Sequence, residues 1–180
     1  MLSEKRVFVT VGTTLFDPLI EVTTNPDFLQ VLSDLKYTHL TIQFGKGKYD
    51  PPKDVFGLKI DAYDYRPSLM SDIQSATLMI SHAGAGSIME GLEQHKKLLV
   101  VINPTLMNNH QSELAGALSS RGYLWHLDSP ERFSDDNYHI VRKIDALPKE
   151  NIKMWPKGDE WAFPPFLDTF MGFKDTSKSQ

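Results

Sequence analysis

Short apolar runs alternate with helical patterns along most of the chain. Six runs combine β-branched and other apolar residues, which is typical of strands that are buried on both faces of a parallel sheet. The strands are predicted at Arg6–Val11, Thr38–Phe44, Leu58–Tyr63, Thr77–Ile80, Lys97–Ile102 and Tyr123–Leu127. Residues 49–55 contain two prolines and are predicted to form a loop.

The segments between these runs carry apolar residues at helical spacing. Helices are predicted at Pro18–Leu35 with a break at Asn25-Pro26, at Arg66–Ser75, Ile88–His95 and Asn109–Arg121, from Ser129-Pro130 onwards, and at Pro165–Phe173. Proline restricts the residue before it, which explains the predicted break. Strands that alternate with helices predict an α/β fold, in which a Rossmann-like parallel sheet has helices on both faces.

The length of the chain fits one domain. A chain of 180 residues can bury a sizeable core. Residues 149–164, rich in proline and tryptophan, are predicted to be a connector, and residues 165–173 a terminal helix with one apolar side. We therefore expect a single domain over residues 1–180, completed by this connector and helix.

Small or polar residues follow four of the predicted strands directly. Gly12-Thr13-Thr14 follows the first, Gly45-Lys46-Gly47 the second, Ser81–Glu90 the fourth and Asn103-Pro104 the fifth. The carboxyl ends of parallel strands meet at one edge of the sheet, where α/β proteins bind their ligands. The agreement among separate turns predicts a nucleotide-type ligand at this edge.

The stretch from Ile80 to Glu90 (ISHAGAGSIME) is the most informative of these turns. It reads as a strand, a glycine turn and a helix N-terminus, whose free N–H groups bind anions such as phosphate. His82 adds a donor, and Glu90 adds a carboxylate within reach of a sugar hydroxyl. Two alternatives remain open here: Ser87-x-x-Glu90 also has the spacing of a capping box, and a lone histidine is more often structural.

Composition and charge exclude several other classes. Apolar residues make up 41% and charged residues 23% of the chain, as in ordinary globular proteins. The net charge is −4 and no basic block is present, so no nucleic-acid surface is expected. Cysteine is absent, which excludes disulfides and thiolate metal sites. With no Asp-x-Asp pair either, we expect no metal and no cofactor.

No segment of the sequence reads as a targeting or membrane element. The N-terminal residues lead straight into a strand pattern without the apolar core of a signal peptide. The longest strongly apolar run, Leu98–Ile102, is far shorter than the roughly 20 residues of a membrane helix. We therefore expect no direct transmembrane insertion, and membrane contact only through a partner or a surface.

Four motifs together resemble a known family. They are FVTVGTT at residues 8–14, QFG at 43–45, ISHAGAGSI at 80–88 and LMNNHQ at 106–111. The regions of the last two motifs, residues 81–90 and 103–111, resemble the donor-binding half of GT-B glycosyltransferases of family 28 type. All four resemble, more narrowly, the soluble catalytic subunits of the eukaryotic UDP-N-acetylglucosamine transferases. The resemblance spans roughly residues 5–127, and departs from the family at Asn108, where an aspartate is expected.

This resemblance implies a role for each candidate residue. His82, Gly84, Gly86 and Ser87 would hold the UDP diphosphate, and Glu90 the ribose. Gly12, Thr13, Gly45 and Lys46 would line the other side of the cleft, and Asn109, His110 and Gln111 would contact the GlcNAc. The catalytic base is not identified, and His82 and His110 are candidates only by residue type.

The resemblance also implies a function and a partner. The family adds the second GlcNAc to dolichyl-diphosphate-GlcNAc at the cytosolic face of the endoplasmic reticulum, in the pathway of protein N-glycosylation. A GT-B enzyme has two Rossmann-like halves, and this chain contains one. The expected enzyme is therefore an inverting transferase, cytoplasmic and recruited to that membrane, which is active only with a membrane-anchored subunit that carries the acceptor site.

Two functions from other classes are also considered. A dinucleotide-dependent oxidoreductase should carry Gly-x-Gly-x-x-Gly after its first strand, but the first turn here is Gly12-Thr13-Thr14-Leu15. A non-catalytic module that binds a nucleotide-sugar or a partner protein is not excluded by the fold, since function depends on the site.

Overall fold

One mixed sheet forms the centre of the protein. The computed structural model describes residues 4–105 and 109–156. Within these residues the strands are β1 (Lys5–Thr10), β2 (Tyr37–Gln43), β3 (Asp54–Val55), β4 (Leu58–Tyr63), β5 (Leu78–His82), β6 (Lys97–Val101) and β7 (Trp125–Leu127). Their spatial order is β3-β4-β2-β1-β5-β6-β7, and every neighbouring pair is parallel except β3 with β4.

Helices connect the parallel strands except β2 and β4, which are joined through β3. The helices are α1 (Asp17–Thr24), α2 (Pro26–Asp34), α3 (Met70–Ser75), α4 (Ala85–Glu93), α5 (Asn109–Ser120) and α6 (Asp135–Ala146), with 3₁₀ turns at Pro130–Ser134 and Lys149–Asn151. The predicted break between α1 and α2 is confirmed, because Asn25 lies between them and its Oδ1 accepts a hydrogen bond from the N–H of Asp27 at 2.9 Å. Near its start, α6 is interrupted at residues 136–138, where the backbone is left-handed.

The order of the parallel strands confirms the predicted fold class. Numbered along the chain without β3, the six parallel strands follow the order 3-2-1-4-5-6 of a Rossmann fold. β1 therefore lies in the middle, between β2 and β5. Helices on both faces of the sheet explain why the central strands β1, β5 and β6 are apolar runs rather than alternating patterns.

Two hydrophobic cores cover the two faces of the sheet. Successive residues of β1 point to opposite faces, so Val7 and Val9 enter one core and Phe8 the other. The first core packs the sheet against α1, α2 and α6, and the second packs it against α3, α4 and α5.

Two predictions near β4 are wrong. The predicted loop at 49–55 contains the short antiparallel strand β3, which pairs Asp54 with Lys59. The helix predicted from Arg66 begins only at Met70. Arg66 instead stacks over the Tyr63 ring, with its guanidinium carbon 3.7 Å from the ring centroid, and pairs with Asp72 at 3.1 Å. These contacts hold residues 64–69 as a turn before α3.

The segment after α6 packs back onto the domain. Lys153 Nζ donates a hydrogen bond to the Arg121 carbonyl at 2.9 Å and lies 4.4 Å from the centroid of the Tyr123 ring. The Trp155 ring meets the same Tyr123 ring edge-on, at a centroid distance of 4.9 Å. The first half of the predicted connector is thus fixed to the domain, whereas residues 157–164 and the predicted helix at 165–173 lie outside the described residues.

Candidate functional site

The carboxyl ends of β1 and β5 lie side by side in the middle of the sheet. From β1 the chain continues to β2 on one side, whereas α3 carries it from β4 back across to β5 on the other. In open α/β sheets, ligands bind outside the carboxyl ends of the strands at such a reversal of strand order. The predicted glycine turns at Gly12 and Gly84 lie at this point.

The turn after β1 is tight and depends on glycine. Gly12 has φ +61°, in the left-handed region, and its N–H donates to Oγ1 of Thr10 at 3.1 Å. A Cβ atom at Gly12 would lie 2.7 Å from Cε1 of His82, which is closer than van der Waals contact allows. Glycine at this position therefore brings the turn after β1 directly against the His82 ring.

The turn between β5 and α4 is shorter than the sequence suggested. The strand continues through His82, which pairs with Val101 of β6, and α4 begins at Ala85 with Gly84 as its N-cap. A Cβ atom at Gly84 would overlap Nε2 of His82, whereas a Cβ atom at Gly86 would have nothing within 4 Å. The fold therefore requires glycine at position 84, while the space above Gly86 is open to a ligand.

The capping-box interpretation of Ser87 and Glu90 is wrong. That motif requires serine at the N-cap, but Gly84 holds this position and no side chain caps the start of α4. Ser87 is the third residue of the helix, and Glu90 lies half-buried on its next turn. Among residues 4–105 and 109–156, the Glu90 carboxylate forms no hydrogen bond or ion pair. The carboxylate is thus available to a ligand.

His82 is buried between the two glycine turns. Its exposed fraction is 7%, and its Nδ1 lies 3.4 Å from the carbonyl oxygen of Thr10. Burial lowers the pKa of His82, and the contact with the Thr10 carbonyl only partly opposes this effect. Burial therefore favours the neutral form of the ring. If Nδ1–H donates to Thr10, Nε2 faces the Gly84 turn as a hydrogen-bond acceptor.

The turn after β2 stacks on the turn after β1. Gly45 has φ +62°, and a Cβ atom there would lie 2.8 Å from the Gly12 carbonyl oxygen and overlap that of Thr14. The N–H of Lys46 donates to the Thr14 carbonyl at 3.2 Å. The two glycine turns predicted on separate strands thus form one contiguous backbone surface.

An open cleft of about 940 Å³ lies among the turns after β1, β2 and β4. Its lining residues are Gly12, Thr13, Phe44, Gly45, Lys46, Gly47, Lys48, Tyr49, Asp50, Asp64 and Tyr65. The predicted residues Gly12, Thr13, Gly45 and Lys46 are all among them. The volume is in the range of pockets that bind small ligands.

The remaining predicted residues of α4 and its turn lie beside this cleft rather than in its lining. His82, Gly84, Gly86, Ser87 and Glu90 form a second group, which meets the first where the His82 ring contacts Gly12. The candidate site therefore has two parts, a helix N-terminus with open space above it and a deeper cleft with two exposed lysines.

The turn after β6 and the start of α5 follow the same edge of the sheet. Oδ1 of buried Asn103 accepts hydrogen bonds from the N–H and Oγ1 of Thr105, at 3.1 and 2.7 Å. Gln111 is half-buried in the first turn of α5. The side chains of Asn109 and His110, and residues 106–108 including Asn108, lie outside the described residues. Their contacts with a sugar stay a prediction.

The amino-acid sequence has clear relatives among known proteins. The chain matches the glycosyltransferase family 28 C-terminal domain over residues 6–159. It is also 32% identical, over 200 residues, to the UDP-N-acetylglucosamine transferase subunit ALG13 of Saccharomyces cerevisiae, with 93% of this chain and 96% of the relative covered. The chain belongs to glycosyltransferase family 28, among the ALG13 subunits.

A human member of this family is closer in sequence but much longer. The subunit ALG13 of Homo sapiens is 52% identical over 123 residues, which cover 68% of this chain and 11% of the relative. The chain thus spans about one tenth of the length of this relative.

Solved structures agree with the family assignment. An NMR solution structure of ALG13 superposes with a TM-score of 0.62 at 26% identity, with 94% of this chain and 96% of that one covered. MurG of Acinetobacter baumannii shares the fold, with a TM-score of 0.61 at 17% identity, and 83% of this chain aligns with 44% of that protein. The fold is therefore that of one half of a GT-B enzyme.

Sequence reasoning missed several residues of the site. Tyr49, Asp64 and Tyr65 line the cleft, yet the only signal for them was their position in a predicted loop or just after a predicted strand, and Phe44 was noted only as the end of a strand and part of a motif. Gln43 was noted only as part of a motif. A glutamine within an otherwise apolar strand is itself a signal, because buried polar side chains need specific partners.

Proposed function

We propose that this chain is the donor-binding, catalytic subunit of a heteromeric UDP-GlcNAc transferase. The enzyme adds the second GlcNAc to GlcNAc-diphosphodolichol, in the synthesis of the lipid-linked oligosaccharide for protein N-glycosylation. The observation that carries the proposal is the match along nearly the whole length of the yeast protein, whose name is UDP-N-acetylglucosamine transferase subunit.

The start of α4 supplies the diphosphate site. The first N–H groups of a helix have no partner within the helix and bear partial positive charge. Gly86 leaves the space above them open, and the Ser87 hydroxyl adds a donor within the first turn. Burial favours the neutral form of His82, so we assign the initial attraction to the backbone N–H groups rather than to a histidine charge.

The sugar groups of the donor extend from this point. The Glu90 carboxylate, without a partner among the described residues, accepts hydrogen bonds from the ribose hydroxyls. Asn109, His110 and Gln111, at the start of α5, contact hydroxyls of the GlcNAc. Gly12 and Thr13, with Gly45 and Lys46 opposite, form the other wall, where the lysine ammonium adds positive charge.

The reaction is a direct displacement at the anomeric carbon of the GlcNAc. A hydroxyl oxygen of the acceptor sugar attacks this carbon from the face opposite UDP, which inverts its configuration. The bond between the carbon and the phosphate oxygen breaks, and UDP leaves with the electron pair. The start of α4 stabilises the charge that develops on the diphosphate. The acceptor proton goes to a base not yet identified, for which His82 and His110 remain candidates.

A partner completes the enzyme. GT-B enzymes carry the acceptor site in a second half, and the fold described here is one half. Within residues 4–105 and 109–156, no helix is long and apolar enough to cross a membrane. We propose that a membrane-anchored subunit supplies the acceptor half and recruits this chain to the cytosolic face of the endoplasmic reticulum.

Calorimetry and reconstitution test the proposal separately. Purified chain is titrated with UDP, UDP-GlcNAc and NADH, and we expect binding of the two uridine ligands only. Transfer to a dolichyl-diphosphate-GlcNAc analogue is then assayed with and without cell membranes, and we expect activity only with membranes. Robust transfer by the chain alone would contradict the need for a partner. Absence of uridine binding would favour a partner-binding module instead.

A further inference from the structure

The side chain of Gln43 joins three turns of the candidate site. Gln43 is the last residue of β2 and is 3% exposed. Its Nε2 donates to the carbonyl of Gly12 at 2.6 Å and to the carbonyl of Asp64 at 2.7 Å. The first carbonyl belongs to the turn after β1, the second to the turn after β4, and Gln43 itself begins the turn after β2.

Thr10 extends this connection to His82. Oγ1 of Thr10 donates to Oε1 of Gln43 at 2.6 Å and accepts from the N–H of Gly12 at 3.1 Å. The carbonyl of the same residue lies 3.4 Å from Nδ1 of His82. Both N–H donors and the oxygen of the Gln43 amide are therefore hydrogen-bonded, and each partner lies at the carboxyl edge of the sheet.

The free-energy cost of burying the Gln43 amide points to a role beyond core packing. A buried amide without partners is strongly unfavourable, and an apolar residue of the same size would fill the volume without that requirement. The neighbours in β2, Leu40 and Ile42, are apolar and fully buried. The two groups that accept hydrogen bonds from Gln43 are carbonyls of turns that line the cleft, and its third partner is the Thr10 hydroxyl at the end of β1.

We infer that Gln43 is a positioning residue, whose amide holds the turns at Gly12, Gly45 and Asp64 in the geometry that binds the nucleotide. This inference rests on the proposed function. In the free protein, removal of the amide lets the turns separate while the strands stay paired. The affinity for UDP then falls by more than the loss of folding stability alone would explain.

Lys97 provides a matched control at the opposite edge of the sheet. It is also buried, and its Nζ donates to two backbone carbonyls, those of Asp145 at 3.0 Å and Leu147 at 2.6 Å. Gln43→Met and Lys97→Met each remove two such donors and keep an unbranched apolar side chain. Both variants lose stability, but only the first loses contacts within the candidate site.

The experiment measures UDP affinity by calorimetry and thermal unfolding for the wild-type chain and both variants, below their unfolding temperatures. We expect Gln43→Met to weaken UDP binding about tenfold and Lys97→Met to leave it within about twofold. A folded Gln43→Met protein with wild-type affinity would overturn the inference. So would an equal loss of affinity in Lys97→Met, because the effect would then follow stability alone.

Hydrogen exchange separates this inference from the proposed function. We expect Gln43→Met to accelerate exchange at the amides of Gly12, Phe44 and Lys46, while amides within α4 keep wild-type rates. Failure of the wild-type chain to bind UDP would refute the proposed function, and the exchange rates would still test Gln43. Unchanged exchange at the turns would overturn the positioning role in either case. Gln43→Glu replaces the donors with a carboxylate that faces two carbonyls. It should accelerate exchange at the amides of the turns more than Gln43→Met does.

Discussion

The two edges of the sheet use buried polar groups in different ways. At the amino edge, Lys5 pairs with Asp145 at 2.7 Å, and Lys97 donates to the carbonyls of Asp145 and Leu147. Lys5 also lies 4.5 Å from the centroid of the Tyr37 ring. The long side chains of Lys5 and Lys97 thus fill this edge and fix the end of α6 to β1 and β6.

The carboxyl edge has the opposite design. Glycines replace long side chains at positions 12, 45 and 84, where a Cβ atom would collide with His82 or with neighbouring carbonyls. The polar side chains Gln43 and His82 bond to backbone carbonyls at the carboxyl ends of β1 and β4, where they hold the turns around the candidate site. The amino edge gains stability from its polar groups, whereas the carboxyl edge uses them to hold an open site.

Gly12→Ala is the largest expected disruption of the carboxyl edge. The left-handed φ of +61° and the collision with the His82 ring should together cost about 3 kcal/mol of unfolding free energy. Gly57→Ala is the control, because Gly57 has φ +79° with nothing near its Cβ position and should cost only about 1 kcal/mol. Denaturant unfolding measures both. Equal costs would show that the contact with His82 is unimportant.

Gly86→Val should affect the ligand and not the fold. No atom lies within 4 Å of the Cβ position, so we expect a nearly unchanged unfolding temperature. The branched side chain occupies the space of the diphosphate, and UDP affinity should fall by about 100-fold, which corresponds to about 2.7 kcal/mol. Gly116→Val in α5, where the Cβ position is equally open, should leave UDP affinity unchanged. Similar UDP affinities in the two variants would place the diphosphate elsewhere.

Glu90→Gln should weaken UDP binding by about fivefold to tenfold, because a neutral amide accepts weaker hydrogen bonds from the ribose than a carboxylate does. Its stability should stay close to that of the wild type, since Glu90 does not cap α4. Calorimetry with UDP and 2′-deoxy-UDP measures the effect. If the ribose role is correct, the variant discriminates less between the two ligands, and undiminished discrimination would exclude it.

The smallest expected effect concerns pH. Burial lowers the pKa of His82 in the folded protein. As pH falls below the unfolded value of about 6.5, the unfolded state takes up a proton that the folded state resists, so stability decreases. His82→Asn should therefore show a shallower loss of stability between about pH 7 and the lower folded pKa.

Local patterns predicted the sheet well, because its central strands β1, β5 and β6 are buried on both faces along most of their length and read as apolar runs. The errors arose where long-range contacts decide the structure. β3 has only two residues and owes its pairing to β4, and the start of α3 is delayed by contacts of Arg66 with Tyr63 and Asp72. No periodicity in the sequence carries this information.

The candidate site was predicted in part for a similar reason. The glycine turns were visible because left-handed and close-packed backbone positions require glycine, as at Gly12 and Gly45. The turn before α4 was predicted to be too long, since Ser81 and His82 still belong to the strand and the helix already begins at Ala85. The connection of Gln43 to Gly12 and Asp64 spans more than 20 positions and depends on the order of the strands.

The contact of Lys153 and Trp155 with Tyr123 has a practical consequence for the boundary of the folding unit. These side chains shield a partly buried aromatic ring next to α5, and the family match ends close by, at residue 159. A shortened protein that ends at Pro156 should keep this cover. One that ends at Pro148 should expose the ring, melt earlier and become sensitive to proteases after Arg121.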